Sequence, residues 1–558
     1  MQEYLTTVSR YLLVLCMGFY TLDCFWVFRY KNEREGGFLY LRQNFWMFAI
    51  QLVSFFNLAI VSRDKRYVVL YIALQVFLFL VLCITNLIYR KINRLLLNNM
   101  CMLLGIGMIM VSRLSVEKSI RQFKIIALSY VICMLVPLIV CRLKGIPKLT
   151  WLYALLGVVP LGGVLLLGET TLGSKLSFTI QGLTFQPSEL VKILFVLFLA
   201  GSLSRSTSFW NILLTSAVAG VHVLILVAST DLGSALIFFM AYLAMLFVAS
   251  RNYLYLLLGL AGGTGASVLA YQLFSHVRVR VLAFVNPWNY IDNQGYQITQ
   301  SLFAIGSGSW FGMGLHQGNP GDIPYVEEDF IFSSICEEYG TIFGILLLLV
   351  ILSCFIMMVK IALKHKQAFY RLTAFGFGII YIFQIFLTVG GGIKFIPLTG
   401  VTLPFISYGG SSILSTMLMF FILQGVYMTA LKEGEKPDVK EEMPDVGEAV
   451  SDAWGNVPYI EEEVPDAGEG IPFVGEAVSG VGKEMPDGWE NVPYVEEVPC
   501  VEEEVPFVRE EVSFVEEDVP YVEEERSQGA DELEIIDYDA EESDGEQAQE
   551  ESDIQWER

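Results

Sequence analysis

Long apolar runs recur along the first 430 residues of the chain and constrain its fold more than any other feature. A membrane-crossing helix needs roughly 20 mostly apolar residues, because each residue adds about 1.5 Å and the hydrocarbon layer is about 30 Å thick. We therefore predict an all-α polytopic membrane protein whose first run is a retained span and not a cleaved signal peptide. About thirteen runs qualify, near residues 7–28, 45–62, 67–89, 95–112, 122–141, 150–168, 187–204, 210–229, 231–250, 253–274, 337–359, 372–393 and 404–430.

The charge of the chain changes sign at residue 430. Residues 431–558 hold 43 of the 59 acidic and 7 of the 36 basic side chains, while the preceding part keeps 29 basic and 16 acidic ones, a net charge of +13. Such a composition excludes a soluble globular enzyme for the main body. A polyanionic tail without a basic, aromatic-containing stripe also argues against nucleic-acid binding. The nine cysteines and four histidines are too scattered for a disulfide framework or a zinc site.

From Pro437 to Pro520 the tail repeats a seven-residue unit in which proline recurs, as in Val519-Pro520-Tyr521-Val522-Glu523-Glu524-Glu525. A heptad suggests a coiled coil, but each proline inside a helix costs about 3 kcal/mol. We predict a disordered acidic tail on the cytoplasmic side. It acts either as a solvating extension or as a multivalent docking strip for a basic partner.

The basic residues between the apolar runs indicate the orientation in the membrane. If the runs cross alternately, most basic connections fall on one side, which is the cytoplasmic side by the excess of Lys and Arg in short cytoplasmic loops. The N-terminus is then outside and the acidic tail inside. Two connections are exceptions, because Arg63–Arg66 and the loop with Arg113, Lys118 and Arg121 fall on the outer side.

Residues 275–336 form one long polar connection on the predicted outer face. Most other connections are short, and long ordered loops often carry function. The loop and its far edge contain seven of the sixteen acidic residues of the first 430 residues. A solvated loop that needs charge is the simpler alternative. The seven residues are Asp292, Asp322, Glu327, Glu328, Asp329, Glu337 and Glu338.

Three further features place polar or irregular sequence at membrane depth. Glu189 and Lys192 share a helix face at i,i+3 spacing, as a functional pair or as an ion pair that fixes helix register. Asp231 opens the next such helix, where capping alone explains a carboxylate. The run from Phe395 to Ser412 contains two prolines and three glycines, and we predict that it borders a cavity open to the outer face.

Seven short motifs carry a resemblance to a known family. They are Gln186-Pro187-Ser188-Glu189 with Lys192; Asp231-Leu232-Gly233-Ser234; Asn286-Pro287-Trp288; Gly295-Tyr296-Gln297 with Gln300-Ser301; Ala304-Ile305-Gly306-Ser307-Gly308; Asp329-Phe330-Ile331-Phe332 with Glu337-Glu338-Tyr339-Gly340; and Pro404 to Ser412. In this order they resemble the SEDS family (FtsW, RodA and SpoVE), the polytopic glycosyltransferases that polymerise peptidoglycan.

The resemblance implies three regions. Residues 1–93 form an N-terminal extension with about three transmembrane helices, residues 94–430 form the ten-helix glycosyltransferase core with its extracellular loop 275–336, and residues 431–558 form the tail. It also implies a multi-pass protein of the bacterial plasma membrane that polymerises lipid II at the outer face, for division, cell shape or sporulation. Its implied partners are lipid II and a class B penicillin-binding transpeptidase.

The resemblance also implies the site residues. The essential outer-loop aspartate of the family maps onto Asp329, as the general base or the group that orients the acceptor hydroxyl, and neighbouring Glu327 and Glu328 are expected to raise its proton affinity. Cationic candidates for the pyrophosphate are Arg280, Arg278 and Lys192. No cofactor is certain, although a divalent cation bridging the acidic loop and pyrophosphate is compatible with the chemistry. The remaining candidate substrate contacts are Gln186, Glu189, Glu338 and Ser407.

The chain departs from the family pattern around the aspartate. The family often has Pro-Glu and then His-Thr there, whereas Tyr325 and Glu327 replace the carboxylate and the imidazole. Thr399 stands where division-type members often carry lysine, and Thr388 where asparagine is usual. Two other functions stay open: a lipid II flippase centred on Glu189 and Lys192, and a non-catalytic scaffold that uses the tail.

Overall fold

Helices account for nearly all of the fold in this computed structural model, which describes residues 2–30, 36–143, 145–171, 174–180 and 183–434. The helices are α1 (Gln2–Trp26), α2 (Gly37–Ser62), α3 (Lys65–Ile88), α4 (Arg94–Leu114), α5 (Val116–Cys133), α6 (Val136–Arg142), α7 (Thr150–Leu167), α8 (Pro187–Leu203), α9 (Phe209–Ala228), α10 (Leu232–Ser250), α11 (Tyr253–Leu273), α12 (Ser275–Val285), α13 (Tyr296–Gly308), α14 (Ile331–Tyr339), α15 (Thr341–Lys364), α16 (Ala368–Gly392) and α17 (Gly410–Gly434). The acidic tail beyond residue 434 lies outside the described residues, so the predictions made for it remain predictions.

Twelve helical segments of the described chain are long and apolar enough to cross a membrane. They are α1, α2, α3, α4, the consecutive α5 and α6, α7, α9, α10, α11, α15, α16 and α17. The thirteenth predicted span is α8, which has 17 residues and is largely buried among its neighbours. The prediction of an all-α polytopic membrane protein is therefore confirmed.

One small antiparallel sheet between α7 and α8 adds to the helical fold and was not predicted. Its strands are β1 (Glu169–Thr171), β2 (Ser174–Ile180) and β3 (Leu183–Phe185), in the order β1-β2-β3. Thr170 pairs with Lys175 and Thr179 with Thr184. β1 and β3 have only three residues each, whereas β2 has seven and alternates polar and apolar residues, a strand signal that the search for long apolar runs did not use.

Helix α4 lies at the centre of the bundle, and its whole apolar stretch is buried. It is capped by the side chain of Asn93, which accepts a hydrogen bond from the backbone N–H of Leu96. Asn99 on α4 accepts a hydrogen bond from Tyr20 Oη (2.9 Å) and donates one to Ser353 Oγ (2.8 Å). Polar contacts at membrane depth therefore join α1 of the N-terminal extension to α4 and α15.

The long polar connection is folded. It contains α12 and α13, the first residues of α14 and two short 3-10 helices, Pro287–Tyr290 and Pro320–Asp322. The predicted span at 337–359 is interrupted at Gly340, so that its membrane-crossing part is α15. The residues of the loop that matter for the site lie just before α14.

Three of the basic residues that violate the predicted charge bias, Arg66, Arg113 and Lys118, are paired with acidic residues of the same face. Arg113 Nε lies 2.7 Å from Glu338 Oε1, and Lys118 pairs with Glu327. Both partners belong to the acidic group of the long loop and its edge. These two ion pairs neutralise two of the seven acidic residues and so favour the position of Arg113 and Lys118 on this face.

Candidate functional site

Three parts of the chain meet around Asp329. They are the end of the long loop, the non-helical segment 393–409 between α16 and α17, and the start of α10 with the neighbouring start of α8. The prediction that 395–412 interrupts the helical pattern is confirmed, because α16 ends at Gly392 and α17 begins at Gly410. A cavity bordering this segment stays a prediction.

Two buried apolar residues hold the acidic triplet Glu327-Glu328-Asp329 in place. Val326 is 4% exposed and Phe330 is 1% exposed, and both belong to a small apolar cluster beneath the loop. A tight turn precedes the triplet, since the backbone N–H groups of Glu328 and Asp329 donate to Tyr325 O at 3.0 and 3.2 Å. The backbone of Asp329 is therefore fixed on both sides.

Ser407 and Tyr408 attach the triplet to the non-helical segment. Ser407 Oγ donates a hydrogen bond to Glu328 O and accepts one from the N–H of Leu403 at 2.9 Å. The N–H of Tyr408 donates to Glu327 O at 2.7 Å. Because the only donor of the Ser407 hydroxyl is used internally, we infer that Ser407 is a positioning residue beside the site.

Lys118, at the start of α5, secures the triplet from the other side. Its ammonium pairs with Glu327 and lies 5.9 Å from the centre of the Tyr408 ring. Burial is partial, with the lysine side chain 47% and the glutamate side chain 16% exposed. We infer that the ion pair positions the loop and takes no part in the chemistry.

Exchanging the charges of this ion pair tests that inference. Lys118→Glu or Glu327→Lys alone is expected to lower the rate of the reaction at this site several-fold, because the turn at Asp329 loses the ion pair that positions it. The double exchange is expected to recover most of the loss, as measured by the initial rate of product formation. The matched control is Arg66→Glu with Glu117→Arg, an exposed pair at 2.7 Å on the same face. No recovery in the Lys118 and Glu327 double variant would contradict the positioning role.

Arg280 on α12 supplies the cation nearest to Asp329. Its Nη1 donates to Thr399 O at 3.1 Å, and its guanidinium flanks Gly400. A methyl group added to Gly400 would lie 3.6 Å from both Arg280 Nη2 and Asp329 Oδ2, so the charged groups face the same point. Gly400 itself has φ +73°, a backbone conformation that favours glycine at this turn.

The surroundings of Asp329 raise its pKa to about 7. Burial is the largest cause, the neighbouring charge of Glu328 adds to it, and Arg280 opposes it. Asp329 is partly exposed to solvent, and protein atoms surround the rest of the residue. The sequence predicted a raised proton affinity for Asp329 from its acidic neighbours. In the structure, burial raises its pKa more than the neighbouring negative charge does. Glu327, which pairs with Lys118, is not among the groups that shift the pKa of Asp329.

The start of α10 lies directly against the non-helical segment. A methyl group added to Gly233 would lie 2.9 Å from Thr399 O, so only glycine permits this approach of the two backbones. Asp231 caps α10 by accepting from the N–H of Ser234 (3.1 Å), and it also accepts from Ser188 Oγ (3.2 Å). Asp231 therefore has a capping role and also joins α8 to the site.

Glu189 and Lys192 form a buried ion pair on α8. Lys192 Nζ donates to Glu189 Oε2 at 2.7 Å and to Gln384 Oε1 at 2.8 Å. The other amide atom of Gln384 donates to Thr402 O at 2.9 Å, and Ser415 Oγ donates to Glu189 Oε2 at 2.9 Å. The pair thus links α8, α16 and α17 to the non-helical segment. The backbone N–H of Gln186, at the start of α8, donates a hydrogen bond to Ser411 Oγ of α17 at 3.0 Å and joins the same two helices.

Two predicted site residues lie apart from Asp329. Arg278 is exposed, and its side chain has no hydrogen-bond or ion-pair partner among the described residues. Glu338 lies at the far end of α14, nine residues or about 13 Å along a helix from Asp329. Its carboxylate accepts from Arg113 Nε and from the N–H of His316 at 3.1 Å. Burial raises the pKa of Glu338 to about 7, although Arg113 opposes this.

Three contributors had not been proposed as site residues from the sequence. Lys118 and Gln384 act through partners more than a hundred residues away, so no local pattern marks them. Thr399 had been noted only as a departure from the family pattern. Its hydroxyl is buried and has no hydrogen-bond partner among the described residues.

The arrangement suits proton transfer beside an anionic group. A carboxyl with a pKa of about 7 accepts and releases protons near neutral pH, and a half-buried guanidinium beside it can bind phosphate oxygens. A resident metal ion fits less well. Within the described residues no three His, Cys, Asp or Glu side chains come close enough to hold a metal ion.

Comparisons with known proteins agree with the motifs. The family model described as "Cell cycle protein" (FtsW, RodA and SpoVE) matches residues 94–431. "Peptidoglycan glycosyltransferase RodA" of Mycobacterium tuberculosis (strain ATCC 25618 / H37Rv) is 32% identical over 273 residues, 45% of this chain and 57% of the relative. "Probable peptidoglycan glycosyltransferase FtsW" of Buchnera aphidicola subsp. Acyrthosiphon pisum (strain APS) is 35% identical over 294 residues, 50% of this chain and 73% of the relative. The chain thus spans little more than half the length of the RodA relative.

A solved structure has a similar fold. It is described as "Structural coordination of polymerization and crosslinking by a peptidoglycan synthase complex", and the likeness covers 61% of this chain and 98% of that chain. The TM-score is 0.53 and the sequence identity 23%. At this identity the likeness supports the helical fold alone.

Proposed function

Because the chain belongs to the FtsW, RodA and SpoVE family, we propose that it is a peptidoglycan glycosyltransferase that polymerises lipid II at the outer face of the membrane. The observation that carries the proposal is the placement of Asp329, with its raised pKa, beside Arg280 at the position of the family motif. The names of the relatives support the same activity. They give no support to the flippase alternative.

The reaction defines what the site residues do. A bond forms between the 4-hydroxyl oxygen of the acceptor GlcNAc and the anomeric carbon of the donor MurNAc, while the bond from that carbon to the pyrophosphate breaks. Undecaprenyl pyrophosphate leaves with the bonding electron pair. Asp329 takes the proton of the acceptor hydroxyl and later releases it to water. Arg280 stabilises the negative charge that develops on the pyrophosphate.

The direct test is polymerisation of labelled lipid II by the purified protein, with the glycan products separated by size. Glycan chains are expected from the protein alone or together with a class B penicillin-binding transpeptidase, the partner that we propose from the family resemblance. Translocation of labelled lipid II across liposomes without polymer formation would contradict the proposal and favour a flippase.

The activity is expected to depend on pH through Asp329. A general base works as the carboxylate, so kcat/KM should rise with pH, with an apparent pKa near 7, and then level off. Arg280→Met removes the cation that stabilises the carboxylate and should move this rise to higher pH. Glu338→Gln is the control, because Glu338 has a similarly raised pKa but lies away from Asp329. A rise that follows Glu338 instead would contradict the assignment.

Two further proposals rest on the family resemblance and the charge bias. The protein lies in the bacterial plasma membrane as a multi-pass protein, and we place the acidic tail on the cytoplasmic side. A divalent cation would reach the site with the pyrophosphate of the substrate and would need only Asp329 and Glu328 as protein ligands. Loss of activity with EDTA and recovery with Mg²⁺ would support the cation.

A further inference from the structure

A cavity lies at the end of the bundle opposite Asp329. It has a volume of about 330 Å³, and residues of the N-terminal extension and of the family core line it together. The last residues of α15 and α17 reach it, with Lys364 and Tyr427, whereas the beginnings of the same helices lie near the long loop and the non-helical segment. The cavity therefore faces the side of the membrane that the basic loops assign to the cytoplasm.

Two lysines bring positive charge to this cavity without an acidic partner. Lys360 Nζ lies 4.2 Å from the centre of the Phe28 ring, and Lys364 Nζ lies 5.4 Å from that of Tyr427. Neither ammonium has a carboxylate within 4 Å among the described residues. The neighbouring residues 31–35 lie outside the described residues and carry two acidic and two basic side chains, so they add no net charge.

The nearby acidic side chains are already paired. Asp23 on α1 accepts from Arg42 Nε at 2.9 Å, and its side chain is 1% exposed. Glu433 at the end of α17 lies 3.2 Å from His365 Nδ1 and accepts from Gln367 Nε2 at 2.8 Å. Among the described residues, the cavity therefore keeps two positive charges against aromatic and aliphatic walls.

We infer that this cavity binds the phosphate of an anionic membrane lipid headgroup. Basic pockets between transmembrane helices on the cytoplasmic side bind anionic headgroups, and tyrosines such as Tyr40 and Tyr427 favour the membrane interface. The volume of about 330 Å³ is within the roughly 300–1,000 Å³ usual for small-molecule sites. The apolar walls formed by Val27, Met357 and Ile361 suit the glycerol and the first carbons of the acyl chains.

The site has a consequence for the N-terminal extension. Val27, Phe28 and Tyr40 come from the part of the chain before residue 94, where the family match begins, while Lys360 and Lys364 come from within the match. Neither part forms the cavity alone. The extension thus adds a lipid site to the glycosyltransferase core, separate from the proposed chemistry at Asp329.

The test measures binding of short-chain phosphatidylglycerol to the full-length protein in neutral detergent by native mass spectrometry. Lys360→Gln with Lys364→Gln is expected to weaken binding about tenfold to thirtyfold, because each lysine near an anionic lipid contributes roughly a factor of five. Arg142→Gln with Lys148→Gln removes two exposed charges elsewhere on the same face and should leave binding unchanged. Lys360→Arg with Lys364→Arg keeps the charge and should keep the binding.

Three outcomes would overturn the inference. The first is equal loss of binding in both glutamine variants, which would indicate a diffuse charge effect. The second is binding of inorganic phosphate as tight as that of phosphatidylglycerol, which would assign the site to free phosphate. The third is displacement of the lipid by a peptide of the acidic tail at equal concentration, which would assign the cavity to the tail. Because the glutamine variant should still polymerise lipid II, this inference and the proposed function fail separately.

Discussion

Asp329→Asn is expected to reduce lipid II polymerisation by about 10²- to 10⁴-fold, the usual contribution of a positioned general base. Asparagine has nearly the same shape and keeps the backbone contacts with Tyr325, but it accepts no proton. The measurement is the initial rate of glycan formation by the purified variant at pH 8, where the carboxylate of the unmodified protein is mostly ionised. Full activity of this variant would contradict the assignment of Asp329.

The same variant provides its own check on folding. The pKa of Asp329 is raised to about 7 in the folded protein, so its ionisation is less favourable there than in the unfolded chain. The stability contributed by the protonated group is complete below the unfolded pKa, near 4, and is lost as the pH rises through about 7. Asp329→Asn should therefore melt at a higher temperature than the unmodified protein above pH 7. Asp292→Asn, an exposed carboxylate of the same loop, should change neither activity nor melting.

The second large effect is expected in stability, at the buried pair on α8. Lys192→Met leaves the carboxylate of Glu189 buried without its cation, which is expected to cost about 3–5 kcal/mol of the free energy of unfolding. The double variant Glu189→Gln with Lys192→Met removes both charges and should recover most of that loss. The melting temperatures in detergent of Lys192→Met, Glu189→Gln and the double variant give the coupling free energy between Glu189 and Lys192.

Activity of the double variant decides between the two roles of the pair. If the pair only links α8, α16 and α17, the stable double variant should polymerise lipid II at nearly the unmodified rate. A stable but inactive double variant would show that the charges themselves act on the substrate, as the sequence pattern had left open. Ser415→Ala, which removes one neutral hydrogen bond to Glu189, is the control and should have a small effect on both measurements.

Sequence periodicity and motif order predicted the helices and the region of the site because both depend on local chemistry. A sufficiently long apolar run is stable in a membrane as an α-helix. The motifs indicate which helix ends lie together at the candidate site. Side-chain direction was not predictable in this way. Arg278 and Arg280 are two residues apart on α12 and so point to different faces, and only the packing of α12 shows that Arg280 faces Thr399.

Long-range pairing explains the other differences. The sequence predicted that Glu327 acts on Asp329, but Glu327 pairs with Lys118, 209 residues earlier in the chain, and does not shift the pKa of Asp329. Glu338 follows Asp329 closely in sequence, but it lies at the far end of helix α14, where its carboxylate accepts a hydrogen bond from Arg113. Neither pairing has a local signal, because each joins elements that meet only in the folded bundle.

The position of α4 bears on how this chain relates to others of its family. The segment shared with the family begins at residue 94, the first residue of α4, and α4 is the most deeply buried helix of the bundle. Helices α1 and α2 help to bury it, and Arg10 of α1 reaches across to Gly312 in the loop that leads to Asp329, with Nη1 3.0 Å from its carbonyl oxygen. The start of the family match is therefore not a structural boundary, because the helices before residue 94 pack against and hydrogen-bond to elements that follow it.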